Sequence, residues 1–305
     1  MKKTKKRKKV LEKVVVTGGA GFIGSHLVKK LVELGFDVFV IDNLYSGKVK
    51  DVHPKAKFFN LDVRDLDKIR PIFNGAKYVF HLAAIPSVQF SIEHPGITND
   101  VNVNGALNVL TAAKDACVKR VIYSASSSVY GDVTKLPIME TKIADPKSPY
   151  AVQKYMGELY CKMFSEIYGL ETVCLRYFNA YGKGQSVTGP YSGVISVFLE
   201  QKKQGKKLTI VGDGKQTRDF VHVSDVVNAN ILAAKSEMIG KGESINIGTG
   251  KKYSVKDIAK IIGGPVEYLL PRIEPKDSLA DISLAKFLLG WEPKIDLEKG
   301  LKELL

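Results

Sequence analysis

Residues 148–158 read SPYAVQKYMGE and place Tyr150 and Lys154 four positions apart, just after Pro149. Proline suits the first turn of a helix, where its missing N–H is not needed. On a helix, positions i and i+4 lie on one face. The pair could therefore move a proton. A phenol ordinarily ionises near pH 10 and is a poor base at neutral pH, but an ammonium beside it favours the phenolate. The same spacing occurs in ordinary amphipathic helices, so the pair gains meaning only from its surroundings.

The strongest surrounding signal is VVVTGGAGFIGSHL (14–27), which joins a β-branched run to a helical one. Gly18, Gly21 and Gly24 permit a tight turn, close backbone approach to a pyrophosphate, and close packing of helix on sheet. The helix N-terminus then offers free N–H groups and a favourable dipole to the anion. Asp42 ends the next strand, about 20 residues on, where a carboxylate accepts from adenosine ribose hydroxyls and repels a 2′-phosphate. This pattern predicts NAD rather than NADP.

These groups must be held by a scaffold. KVVVTG (13–18), FDVFVIDN (36–43), KFFNLDV (57–63), KYVFHLAA (77–84), KRVIYSAS (119–126) and ETVCLRYFN (171–179) read as strands. Helices are expected at 21–35, ending at Gly35, and at about 64–73, 97–116 and 150–168. Such alternation predicts an α/β fold, a doubly wound parallel sheet with helices on both faces. After residue 180 the rhythm breaks. GKGQSVTGPYSG (182–193) reads as a loop. Helices follow at 194–205, 223–236, 254–263 and 283–289, with strands at 208–214, 244–250 and 266–270.

The 305 residues should bury roughly 75% of the surface that the unfolded chain exposes. The composition, 45% hydrophobic and 26% charged, is that of a soluble globular protein, and no apolar run is long enough to predict a membrane span. Cys117, Cys161 and Cys174 fit neither a metal spacing nor a disulfide framework, which predicts a reducing, cytoplasmic setting and no metal. Half of the net charge of +14 lies in MKKTKKRKK at the start. That block has no apolar segment after it and reads as a solvated, disordered tail, because like charges repel and build no core. The other reading, a nucleic-acid arm, is the weaker one, and no nucleic-acid partner is expected.

From about residue 13 onward, TGGAGFIG, Asp42-Asn43, LDVRD, HLAA, YSASSSVYG, PYAVQK, RYFNAYG and QTRDFVHVSD resemble the extended short-chain dehydrogenase/reductases. Within them the chain is similar to nucleotide-sugar epimerases of the UDP-glucose 4-epimerase type. The charge block marks a basic tail at 1–12, and the resemblance implies a Rossmann domain from 13–176 plus about 219–248. It also implies a nucleotide-sugar lobe from 177–218 plus 249–305, tightly bound NAD, and a homodimer. Tyr150 and Lys154 become catalytic, the positive nicotinamide joining Lys154 in lowering the phenol pKa, and Ser126 takes the catalytic Ser/Thr position.

Cofactor contacts are implied at Gly18, Gly21, Phe22, Ile23, Gly24, Asp42, Asn43, Asp62 and Val63. Further along they are implied at Leu82, Ala83, Ala84, Asn102, Ser124, Tyr150, Lys154 and Tyr177. Substrate contacts are implied at Ser87, Ser126, Ser128, Asn179, Gly193, Val194, Thr209, Val211, Arg218, Arg272 and Ser278. Arg218 and Arg272 would clamp the diphosphate with planar donor forks, although IEPKDSLAD after Arg272 departs from the family's R-x-G-D pattern. Ser278, small at a position that gates the sugar pocket, leaves room for an N-acetyl group. Related dehydratases carry an Asp-Glu pair directly after the catalytic Ser/Thr, and decarboxylases usually a glutamate there; this chain has Ser127 and Ser128. The expected activity is 4-epimerisation of UDP-hexoses through a transient 4-keto sugar. The rivals are another nucleotide-sugar reductase or decarboxylase, or a non-catalytic NAD-binding protein.

Overall fold

The computed structural model describes residues 11–186, 193–270 and 276–305. Seven strands form one parallel sheet: β1 (Lys13–Thr17), β2 (Asp37–Asp42), β3 (Lys57–Asn60), β4 (Ala76–His81), β5 (Arg120–Ser126), β6 (Glu171–Tyr177) and β7 (Lys241–Ile247). Their order is β7-β6-β5-β4-β1-β2-β3. The strand order reverses between β1 and β4, and in open α/β sheets ligands bind in the crevice at such a reversal. The doubly wound α/β fold expected from the alternation is present.

The pleat explains why β1 is apolar throughout. Val14 and Val16 enter one apolar cluster, with Leu27, Phe80, Leu175 and Trp291, while Val15 enters the other, with Phe73, Leu110, Val121 and Phe164. A strand covered by helices on both faces has no polar side. A third cluster, including Tyr181, Phe198, Leu208, Ile258 and Leu301, is built from C-terminal segments.

The 171–179 strand expected from sequence breaks at Phe178, whose N–H turns to Ile247 O (3.0 Å). It resumes as Asn179–Tyr181, pairing with Phe220–His222. Residues 97–116 form one helical path with a π-helical turn at Asp100–Asn104 between Pro95–Asn99 and Gly105–Asp115. The helix Val88–Glu93 was not anticipated; Ser87 caps it. Arg120, at the start of β5, ties down the far end of helix Val223–Lys235, donating to Ala233 O (2.8 Å), Ser236 O (2.6 Å) and Ile239 O (2.9 Å). Fully buried Asp219 gathers remote segments by accepting from Thr249 N–H (2.7 Å), Gly250 N–H (3.0 Å) and Ala280 N–H (3.1 Å).

Candidate active site

Helix Pro149–Tyr168 starts where the sequence says it should. Ser148 accepts from Ala151 N–H at 3.2 Å, Pro149 occupies the first turn, and Gly169 ends the helix in the left-handed conformation (φ 67°). Its packing decides where Lys154 goes. A Cβ on Gly157 would stand 2.2 Å from Tyr123 Oη, so glycine lets the helix lie close against β5. Lys154 then reaches in, donating from Nζ to Ser124 O at 2.8 Å, with its ammonium 5.0 Å from the Tyr123 ring centroid. Burial draws the Lys154 pKa down to about 8. His81, at the end of β4, is held by Thr17 Oγ1 at 2.7 Å. Burial first, and the Lys154 charge second, push His81 down to about 3, so it is neutral.

Ser126 ends β5 and faces Tyr150. Its Oγ accepts from Ser128 N–H (3.2 Å) and Ser128 Oγ–H (2.9 Å). Both of those donors leave the Ser126 proton free to be donated. Tyr150 is anchored through its backbone N–H to Ser91 Oγ (3.0 Å). In the protein alone, burial pushes the Tyr150 phenol up to about 12, against an opposing hydrogen bond from Ser126. The lowering expected from sequence involves the positive nicotinamide as well as Lys154; in the protein alone burial dominates, and the Lys154 ammonium is hydrogen-bonded to the Ser124 carbonyl.

Tyr150, Lys154, Ser126 and Ser124 line a cleft of 1120 Å³ that also contains Gly18, Gly21, Phe22, Ile23, Gly24, Asp42, Asn43, Asp62, Val63, Leu82, Ala83, Ala84 and Tyr177. The glycines fit a dinucleotide cradle on steric grounds. A Cβ on Gly24 would stand 2.0 Å from Gly18 O, and one on Gly18 (φ 72°) 2.6 Å from Ala83 N. The first bond of the following helix runs from Ser25 N–H to Gly21 O (2.9 Å). The N–H groups of Phe22, Ile23 and Gly24 therefore precede the helical ladder and suit a pyrophosphate. Asp42 Oδ2 accepts from Ala20 N–H (3.0 Å) and Oδ1 from Leu44 N–H (2.8 Å), which fixes the carboxylate beside the loop. Asp62, held by Arg64 and by Asn43 (2.8 Å), is drawn down to about 2, the Arg64 hydrogen bond being the largest cause.

Several expected ligand residues are engaged within the protein. Asn102 is 2% exposed; its amide accepts from Ile85 N–H (2.8 Å) and donates to Gln153 Oε1 (2.8 Å), so it braces the cleft wall from behind. Ser87 is equally buried, its hydroxyl accepting from Phe90 N–H (3.1 Å) as a helix cap. Ser128 sits behind Ser126. Thr209 is engaged on both sides by Gln201. Val211 ends the strand Leu208–Val211, while Gly193 and Val194 open the helix Val194–Lys203. Asn179 donates to Asp219 O (3.2 Å). Arg218 donates to Thr217 O (2.9 Å), and Ser278 N–H reaches the same carbonyl (3.1 Å), so those two do come together. None of these residues lines the cleft described above. Arg272 lies outside the described residues.

The sequence reading missed Tyr123, the platform under Lys154, and the cleft-lining Tyr45, Lys48 and Lys183. The first was detectable as the alternate position to Ser124 on β5; Tyr45 and Lys48 follow Asp42 within DNLYSGK. Among the described residues there is no group of three or more His, Cys, Asp or Glu able to hold a metal, and no helix is long and apolar enough to cross a membrane.

Comparison with known proteins agrees with this geometry. A Lactobacillus helveticus UDP-glucose 4-epimerase is 38% identical, the match covering 92% of each chain. A Bacillus cytotoxicus UDP-N-acetyl-alpha-D-glucosaminuronate decarboxylase is 35% identical over 96% of both. The crystal structure of UDP-glucose 4-epimerase with UDP-glucose from Thermotoga maritima is 41% identical and superposes with a TM-score of 0.91, covering 95% of this chain and 96% of that one. Residues 14–248 match the NAD dependent epimerase/dehydratase family. The chain is a member of that NAD-dependent enzyme family, the extended short-chain dehydrogenase/reductases.

Proposed function

We propose that this enzyme is a UDP-hexose 4-epimerase that interconverts UDP-glucose and UDP-galactose and, given a small residue at Ser278, their N-acetylated counterparts. One observation carries the reading. Ser126, Tyr150 and Lys154 converge beside the glycine cradle, and among the described residues no carboxylate lines the cleft next to them. Among the described residues lining the cleft, the carboxylates are Asp42, Asp51 and Asp62. Asp42 and Asp62 are held at the glycine loop and by Arg64. An elimination of water from the sugar needs an acid and a base of its own, and Ser127 and Ser128 are poor candidates.

The chain's own residues then act as follows. NAD, when bound along Gly18–Gly24, Asp42 and Lys154, supplies a hydride acceptor that later serves as donor. Tyr150 Oη removes the proton from the sugar 4-hydroxyl. Ser126, oriented by Ser128, donates to the same oxygen and hands protons to Tyr150. Since Tyr150 stays protonated in the protein alone, the base becomes active only in the liganded cleft. Lys154, fixed by Ser124 O, orients from beneath. While the sugar diphosphate stays held the 4-keto sugar would present its other face, and Tyr150 would then return the proton to the 4-oxygen as C4 is re-formed with inverted configuration.

We also infer a homodimer through helix Pro149–Tyr168. Val152 and Leu159 are 42% and 51% exposed and, seven positions apart, lie on one stripe of the helix.

The test of the activity is incubation with the four UDP-hexoses, without added NAD, followed by NMR. Each sugar should yield its C4 epimer. Net consumption of NADH with a keto sugar, or release of carbon dioxide from a UDP-hexuronic acid, without epimerisation, would replace the proposal by the reductase or decarboxylase reading.

A further inference from the structure

His26 and Lys183 are far apart in sequence, yet His26 Nε2 lies 2.7 Å from the Lys183 carbonyl oxygen. A carbonyl only accepts, so Nε2 carries the hydrogen. His26 stands in helix Phe22–Glu33, whose N-terminus is the glycine cradle, and Phe22 packs edge-on against its ring. Lys183 stands at the tip of a turn between Gly182 (φ 153°) and Gly184 (φ 86°), backbone conformations that favour glycine. The turn is braced from behind. A Cβ on Gly182 would meet Val223 Cγ1 at 2.5 Å, and Gln185 donates from its side chain to Ala180 O at 3.2 Å. Lys183, Gly184 and Gln185 line the same cleft as Gly18, Gly21 and Gly24.

The charges make sense of this arrangement. The cradle meets a pyrophosphate with backbone N–H groups, which are neutral dipoles. The glycine loop itself holds no cation. Lys29, Lys48, Lys50 and Arg64 also line the cleft; Lys183, exposed on its wall, arrives from a segment beyond β6 and is the cation whose own backbone carbonyl is hydrogen-bonded to the cradle helix. We propose that the His26–Lys183 hydrogen bond is a latch that holds the 182–185 turn over the pyrophosphate of bound NAD, with the Lys183 ammonium as countercharge, and slows release of the dinucleotide. The latch rests on NAD occupying the cleft. It joins the cofactor side to residues just beyond β6, so a cofactor that must survive many turnovers is gripped from two directions.

The test reads retention of NAD rather than turnover. Wild-type protein, His26→Ala, Lys183→Ala and Lys183→Arg are loaded with NAD, desalted, and sampled over time, with the remaining nucleotide quantified by chromatography. Circular dichroism verifies that each variant is folded. His26→Ala keeps the cation but loses the latch; Lys183→Ala keeps the carbonyl but loses the cation. Both should release NAD about tenfold faster, the scale of losing one net hydrogen bond. Lys183→Arg should stay near wild type, and added salt should speed release from wild type more than from Lys183→Ala. Equal retention in wild type and either alanine variant overturns the latch. A wild-type protein that holds no NAD overturns the reading of the cleft and the latch with it.

Discussion

Glu158 grips Arg176 with both carboxylate oxygens, Nε to Oε1 at 2.9 Å and Nη2 to Oε2 at 2.5 Å, one helical turn beyond Lys154. Arg176 Nη1 also donates to Tyr130 Oη (2.8 Å), which donates to Asn246 Oδ1 (2.6 Å), and Ser244 Oγ donates to Glu158 Oε2 (2.9 Å). Helix Pro149–Tyr168, the turn after Ser126, and strands β6 and β7 are thus cross-linked in a buried place. Arg176→Met leaves Glu158 charged and without its cation. Breaking such a pair on one side costs about 3–5 kcal/mol. The urea midpoint should fall accordingly; a midpoint within error of wild type would show that the network contributes nothing net.

Tyr150→Phe removes the proposed proton carrier without changing the fold. Turnover should drop by roughly 10²–10⁴-fold, the scale of general acid–base catalysis, while NAD stays bound. Steady-state rates and bound-nucleotide content measured on the same preparation check this. Near-normal rates would remove Tyr150 from the mechanism.

Gly24→Ala places a methyl group where Gly18 O already stands, 2.0 Å away. The glycine turn must open to accept it. The variant should lose NAD during purification while its far-ultraviolet spectrum stays close to wild type. Full nucleotide content would show that the cradle tolerates the shift.

His81 supplies a pH signature. Its folded pKa, about 3, lies below the ordinary value near 6.5. Above pH 6.5 it is neutral in both folded and unfolded chains. As pH falls from 6.5 towards 3 only the unfolded chain takes the proton, so stability is lost there, by up to about 1.4 kcal/mol per pH unit. His81→Asn should flatten that limb of a stability-against-pH curve. An unchanged slope between pH 6 and about 4 would assign the loss to other groups.

Val152→Glu combined with Leu159→Glu sets charge on the exposed stripe of helix Pro149–Tyr168. Sedimentation should shift from a dimer to a single chain of 33.6 kDa. A wild-type protein already at that mass would dispose of the dimer.

The parts legible in the sequence are those governed by local geometry. The Gly18–Gly24 loop, Asp42 at a strand end and the Tyr150–Lys154 spacing are constraints on neighbouring residues, and the alternating strand and helix runs dictated the parallel sheet. The illegible parts depend on partners far along the chain. Nothing near Asn102 shows that its amide is taken by Ile85 and Gln153, and Thr209 gives no sign that Gln201 holds it. Strand Asn179–Tyr181 exists because Phe220–His222 lies beside it. The same holds for the Lys154 ammonium: its place one helical turn after Tyr150 was readable, but the Ser124 carbonyl that captures it was not.

The π-helical turn at Asp100–Asn104 carries a consequence for how this segment can vary. A turn of that type holds one residue more than a regular one. Deleting one position within it would let the segment close into an ordinary helix, with Pro95–Asn99 and Gly105–Asp115 still facing as before, but the swelling that carries Asn102 to Ile85 and Gln153 would be gone. The surplus residue is thus a local detour that the path of the rod does not require, and its reason for persisting is the single amide it displays.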